Sequence, residues 1–140
     1  METIYVPFLK DTRSEIKRVA IYYLLFGLQL RKPEIKETAL KELINEHNDI
    51  DLRLTCITGL ANAYMDTDDA ELLSVFFSHF IDKNEEEDIR SECFVGMMKL
   101  HGLNSVQIIN KNKNQIIVSF EDLHFDGFEK ELSEIRQIVG

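Results

Sequence analysis

An internal repeat restricts the fold more than any other feature of this chain. Three nine-residue segments align: Ile16-Lys17-Arg18-Val19-Ala20-Ile21-Tyr22-Tyr23-Leu24, Leu52-Arg53-Leu54-Thr55-Cys56-Ile57-Thr58-Gly59-Leu60 and Ile89-Arg90-Ser91-Glu92-Cys93-Phe94-Val95-Gly96-Met97. Their starts lie 36 and then 37 residues apart. Each opens with an aliphatic residue and a basic one. A small residue (Ala20, Cys56, Cys93) follows four positions after the aliphatic, and a large apolar residue eight positions after it. That spacing puts all three on one helical stripe. The preceding segments match too: Ile35, Leu40, Leu43 and Ile44 precede Leu52 at the offsets by which Leu72, Phe77, Phe80 and Ile81 precede Ile89. Each unit therefore reads as a helix, a polar turn (46–51 or 82–88) and a second helix. Pro33 opens the first leading helix, where its missing N–H costs little, and Thr67 or Asp68 is the expected N-cap of the other. One helix pair cannot bury its stripe alone, so neighbouring pairs must share a core.

The pattern Asp49-x-x-Leu52-Arg53-x-x-Cys56-x-x-Gly59-Leu60, echoed by Glu86-x-x-Ile89-Arg90-x-x-Cys93-x-x-Gly96-Met97, resembles HEAT-like helical repeats over residues 12–102. The resemblance implies a right-handed stack of about three helix pairs. Its small residues would let helices approach closely, and its acidic and arginine positions would form structural ion pairs between units. The first copy departs, with Arg13 at the acidic position and Lys17 at the arginine position, as a terminal repeat lacking one neighbour can. The two cysteines, at equivalent packing positions, read as inert core thiols rather than reactive ones.

Beyond Gly102 the repeat stops. Val106-Gln107-Ile108-Ile109 and Gln115-Ile116-Ile117-Val118-Ser119-Phe120 flank an Asn/Lys-rich stretch, and this predicts a β-hairpin. Phe128, Leu132, Ile135 and Val139 then recur at helical spacing, so a last helix is expected from Asp126 to Ile138. The fold expected is thus mainly all-α: a single domain over 1–140, with repeats at 12–102 and a small hairpin plus final helix at 103–140. The hairpin would cap the end of the stack or serve as a binding element.

The chemistry-bearing motifs of common enzymes are missing. His47, His79, His101 and His124 stand alone, without a second His or Cys at the spacing that presents two metal ligands on one helix face. His79, in an apolar helix, reads as a half-buried, hydrogen-bonded side chain. There is neither a glycine-rich phosphate loop nor a nucleophile elbow. No catalytic residue, cofactor or metal is therefore expected. The longest apolar stretch, Val19 to Leu28, is shorter than the roughly 20 residues that span a bilayer. With no cationic leader visible in Met1–Tyr5, a soluble cytoplasmic protein is expected.

Charge narrows the partner. The 140 residues hold 25 acidic and 16 basic side chains, a formal charge of −9. That balance disfavours direct nucleic-acid binding, which needs a basic track, and favours a basic protein partner. The acidic clusters Asp66, Asp68, Asp69 and Glu85, Glu86, Glu87, Asp88 are the expected contacts, although solvated turns are the bland alternative. The inner surface of second helices would display Val19, Tyr22 and Phe26, then Thr55, Thr58 and Asn62, then Glu92, Val95 and Lys99. Tyr22 is its expected binding residue. In size, charge and lack of catalytic motifs the chain is similar to bacterial immunity proteins. That similarity implies masking of the active site of a basic, nuclease-type toxin. A general HEAT-like adaptor or regulatory subunit is the alternative, and an enzyme resting on Glu92 is the third.

Overall fold

A computed structural model describes residues 5–140. Residues 1–4, on which the reading of no N-terminal leader partly rests, lie outside the described residues. Seven α-helices are present among the described residues: α1 (Ser14–Ile21), α2 (Pro33–Ile44), α3 (Ile50–Ala63), α4 (Ala70–Ile81), α5 (Glu87–Leu100), α6 (Ser105–Lys111) and α7 (Glu129–Val139). A π-helical turn, Tyr22–Gly27, extends α1, and 3₁₀ turns form at Val6–Lys10, Phe120–Asp122 and Phe125–Phe128. The chain divides at Tyr64/Met65 into two compact units.

The repeat is reproduced element by element. α2 and α3 of unit 1 correspond to α4 and α5 of unit 2 with every boundary shifted by the same interval. Leu52, Cys56 and Leu60 in one unit, and Ile89, Cys93 and Met97 in the other, are essentially inaccessible. The turn between paired helices is built twice by one bonding scheme. Asn45 Oδ1 accepts from the His47 amide (3.1 Å) and Asp82 Oδ1 from the Asn84 amide (2.9 Å). Six-residue side-chain ties span both turns: Asn48 Nδ2 to Glu42 Oε2 at 2.7 Å, and His79 Nδ1 to Glu85 Oε2 at 2.9 Å. The second tie gives His79 the half-buried, hydrogen-bonded role read from the sequence.

The repeated arginines have a common task. Arg53 Nε donates to the Leu43 carbonyl (2.8 Å) and Arg90 Nε to the Phe80 carbonyl (2.9 Å). Each satisfies a carbonyl in the last turn of its own leading helix, where such groups lack helical partners, and so locks the pair. In the first copy Lys17 Nζ instead meets Glu42 Oε1 at 3.0 Å. Arg13 turns to Asp11 (2.8 Å), and its side-chain and backbone hydrogen bonds hold that carboxyl down to about 2. Ahead of α1 lies the 3₁₀ turn Val6–Lys10.

Unit 1 packs closely at Gly59, where an added Cβ would sit 3.0 Å from Leu25 Cβ. Unit 2 is centred on phenylalanines. Phe94 meets Phe128 edge-on at 5.0 Å, and Phe80 and Phe125 pack on it at 5.3 and 5.6 Å. Neither cysteine forms a disulfide, and both are fully buried. Burial, reinforced by the nearby Glu42 charge, pushes the Cys56 thiol far above its usual range, which favours the core reading over a reactive one.

The C-terminal region differs from expectation: the fold is all-α, and no strand occurs among the described residues. The first supposed strand is α6. Asn104 caps it with a reciprocal box, the Gln107 amide donating to Asn104 Oδ1 and the Asn104 amide to Gln107 Oε1, both at 2.9 Å. That box commits the β-branched residues behind it to a helix. Lys113 and Asn114 do reverse the chain, both with positive φ. In the second supposed strand three amides are used locally, that of Gln115 bonding to the Asn112 carbonyl at 3.0 Å. Asp122 Oδ2 accepts from the Val118 and Ser119 amides, each at 3.0 Å, and these bonds hold the Asp122 carboxyl below its ordinary value. The last helix begins at Glu129, three residues later than expected, because Phe125–Phe128 forms a 3₁₀ turn.

Candidate functional site

The most distinctive surface of unit 1 begins where α1 changes pitch. The Leu28 amide bonds to the Tyr23 carbonyl (2.8 Å), five residues back. Gln29, with φ of 52°, then closes the turn through the Leu30 amide to the Leu24 carbonyl at 3.0 Å. A π turn carries more residues per turn than an α turn, and such turns are frequent at functional sites. Here it buries Leu24 and Leu25 completely while leaving the adjacent Tyr22 and Tyr23 exposed at 43% and 41%. The rings form one run: Tyr5 stacks on Tyr23 (4.8 Å), Tyr23 meets Tyr22 edge-on (5.7 Å), and Tyr22 stacks on Phe26 (5.1 Å).

Tyr22 also forms a wall of a groove of about 420 Å³, shared with Arg18, Asp51, Leu54, Thr55 and Thr58. Arg18 and Asp51 continue into a smaller neighbouring depression with Ser14, Glu15 and Asp49. Neither Arg18 nor Asp51 forms an ion pair with another described residue, so both charges remain available to a partner. Thr55 and Thr58 thus line the same groove as Tyr22, whereas Asn62 is used internally, its Nδ2 donating to the Phe26 carbonyl at 3.2 Å. Tyr23 and Tyr5 were not legible as part of the site. The available signal was the doublet sequence Tyr22-Tyr23-Leu24-Leu25, which breaks the 3.6-residue period and so marks a widened turn.

The acidic clusters belong to unit 2, at opposite ends of α4, about 18 Å apart at 1.5 Å per residue. Much of the first is spent on structure. Asp69, rather than Thr67 or Asp68, is the N-cap of α4, its Oδ1 accepting from the Leu72 amide at 3.0 Å. Asp66 and Asp68 adopt positive φ, and their amides bond to the carbonyls of Lys99 and Leu100. In the second cluster Glu85 is tied to His79, but Glu86, Glu87 and Asp88 are exposed at the start of α5 and pair with no described cation.

Asp68 also accepts from His101 Nδ1 at 2.6 Å, while His101 Nε2 faces Glu134 of α7 at 3.4 Å. Burial pushes the imidazole pKa down. The two carboxylate hydrogen bonds and their charges outweigh it, and the pKa rises above 6.5. Charged His101 therefore stabilises unit 2 fully below pH 6.5, and this contribution is lost as pH rises through the higher folded-state pKa. Urea unfolding between pH 5.5 and 9 should show that fall. His101→Gln should flatten it, and an unchanged pH profile in that variant would refute the assignment.

No group of three metal-binding side chains occurs among the described residues, and no described helix is long and apolar enough to cross a membrane. Glu92, on which an enzyme reading would rest, is half-buried on α5. Comparisons with protein-family models, curated proteins and solved structures gave no match.

Proposed function

We propose that this chain is a non-enzymatic, HEAT-like binding protein of the cytoplasm that docks a basic protein. In its most specific form it is an immunity protein that masks the active site of a nuclease-type toxin. The observation that carries the binding reading is the continuous run of rings on the π turn beside the Arg18–Asp51 groove. Exposed tyrosines of this kind supply large contact area at small entropic cost and dominate interface energetics. The charge of −9, with Glu86, Glu87 and Asp88 open to solvent, supports a basic partner attracted by steering. A nuclease toxin is basic because it must hold phosphates. The apolar share of the ring surface favours the second reading, an adaptor whose affinity is insensitive to salt.

Affinity capture from the native cell at low and high salt separates the two. A single small basic nuclease-like protein, released by salt, is the result expected of an immunity protein. With that partner in hand, Tyr22→Ala should weaken binding by about 2 kcal/mol, the scale of an aromatic hot spot. Reversing Glu86, Glu87 and Asp88 together should slow association, most strongly at low salt. Affinities unchanged in both variants would rule out these surfaces.

A further inference from the structure

Unit 2 contains a second groove, of about 400 Å³, between the C-terminal half of α4 and α7. We propose that it binds a medium-chain fatty acid, with the hydrocarbon along Phe77, Phe80, Ile81 and Leu132 and the carboxylate on Arg136. The apolar floor is preformed. Phe77 and Phe80 meet at 6.5 Å, and Phe80 is backed by Phe94 and Phe125 at 5.3 and 5.7 Å. Ile81, at the end of α4, is 53% exposed beside it.

The charge at the groove is directional. Arg136 lies over the Phe77 ring (5.9 Å to the centroid) and forms no ion pair with a described carboxylate. Its planar fork of donors suits a carboxylate. Glu129, on the same wall, precedes Arg136 by two helical turns, about 10 Å, and would repel an anionic head from that end. The volume lies low in the range of small-ligand pockets, about 300–1,000 Å³.

The test is an NMR titration of the full-length ¹⁵N-labelled protein with sodium decanoate and, in parallel, with 1-decanol. The expected result is saturable shifts at Phe77, Ile81, Leu132 and Arg136, with decanoate bound more tightly than the alcohol. Arg136→Gln should weaken decanoate about fivefold, the loss of one exposed ion pair, and leave decanol unchanged. Ile81→Asp should weaken both. Both substituted side chains are exposed, and circular dichroism checks that each variant is folded. Unsaturable or scattered shifts, equal binding of acid and alcohol, or undiminished decanoate binding in folded Arg136→Gln would each overturn the proposal.

Discussion

Gly127→Ala is expected to destabilise unit 2 by about 3 kcal/mol or more, the upper end of overpacking penalties. A Cβ at this position would overlap the Lys111 carbonyl oxygen and crowd the Lys111 carbonyl carbon at 2.9 Å. These are backbone atoms at the end of α6, so no rotamer change relieves the overlap. The 3₁₀ turn Phe125–Phe128 must move off α6, and it carries fully buried Phe128 with it. That motion would separate Phe128 from Phe94, now 5.0 Å away. Domains are stable by only about 5–15 kcal/mol, so the effect is large. Urea unfolding followed by circular dichroism measures it. All four tyrosines lie in unit 1, so tyrosine fluorescence reports that unit separately. An unfolding midpoint equal to that of the unsubstituted chain would contradict the prediction.

Asn112→Ala should cost a similar amount, about 3 kcal/mol, the scale of leaving buried hydrogen-bonding groups unsatisfied. Asn112 is fully buried at the C-cap of α6. Its Nδ2 donates to the carbonyls of Gln115 (2.9 Å) and Asp122 (3.0 Å), and its Oδ1 accepts from the His124 amide (2.7 Å). One side chain thereby holds together twelve residues of chain that have no sheet to pair with. Asn112→Asp should not rescue stability. It keeps the acceptor for His124 but sets a carboxylate oxygen against two carbonyl oxygens. Amide hydrogen exchange at His124, Val118 and Ser119 gives a local readout, and protection unchanged in either variant would refute this role.

These two positions mark where sequence reasoning stopped. The helix pairs were legible because burial leaves a periodic trace. Cys56 and Cys93 sit at the same point of the same stripe, and both became inaccessible core. The task of Arg53 and Arg90 was not legible. The HEAT-like resemblance implied ion pairs for them; the bond by which each closes its own helix pair goes to a backbone carbonyl, and a carbonyl has no identity in a sequence. Residues 106–120 misled because β-branched composition is a weak prior that one capping box can override.

The site divides in the same way. Tyr22 could be placed on the open face by counting along α1. Its neighbour Tyr23 could not, because its exposure depends on a π turn that displaces the helical register, and Tyr5 joins the run through a stacking contact distant in sequence. The acidic clusters could be located on their turns, but their availability could not. Asp69 was consumed as a cap, Asp68 and Glu85 by histidines. The groove between α4 and α7 left no trace at all.

From sequence alone follow the paired helices, their common interval and their buried stripe, since local periodicity encodes which face is hidden. Tertiary structure alone decided the strandless C-terminal segment, the choice of exposed aromatics and the pairing of acidic side chains. The ring contacts and the histidine–carboxylate bonds join positions with no fixed spacing along the chain, and the caps and the π turn are local choices among several that the same residues allow.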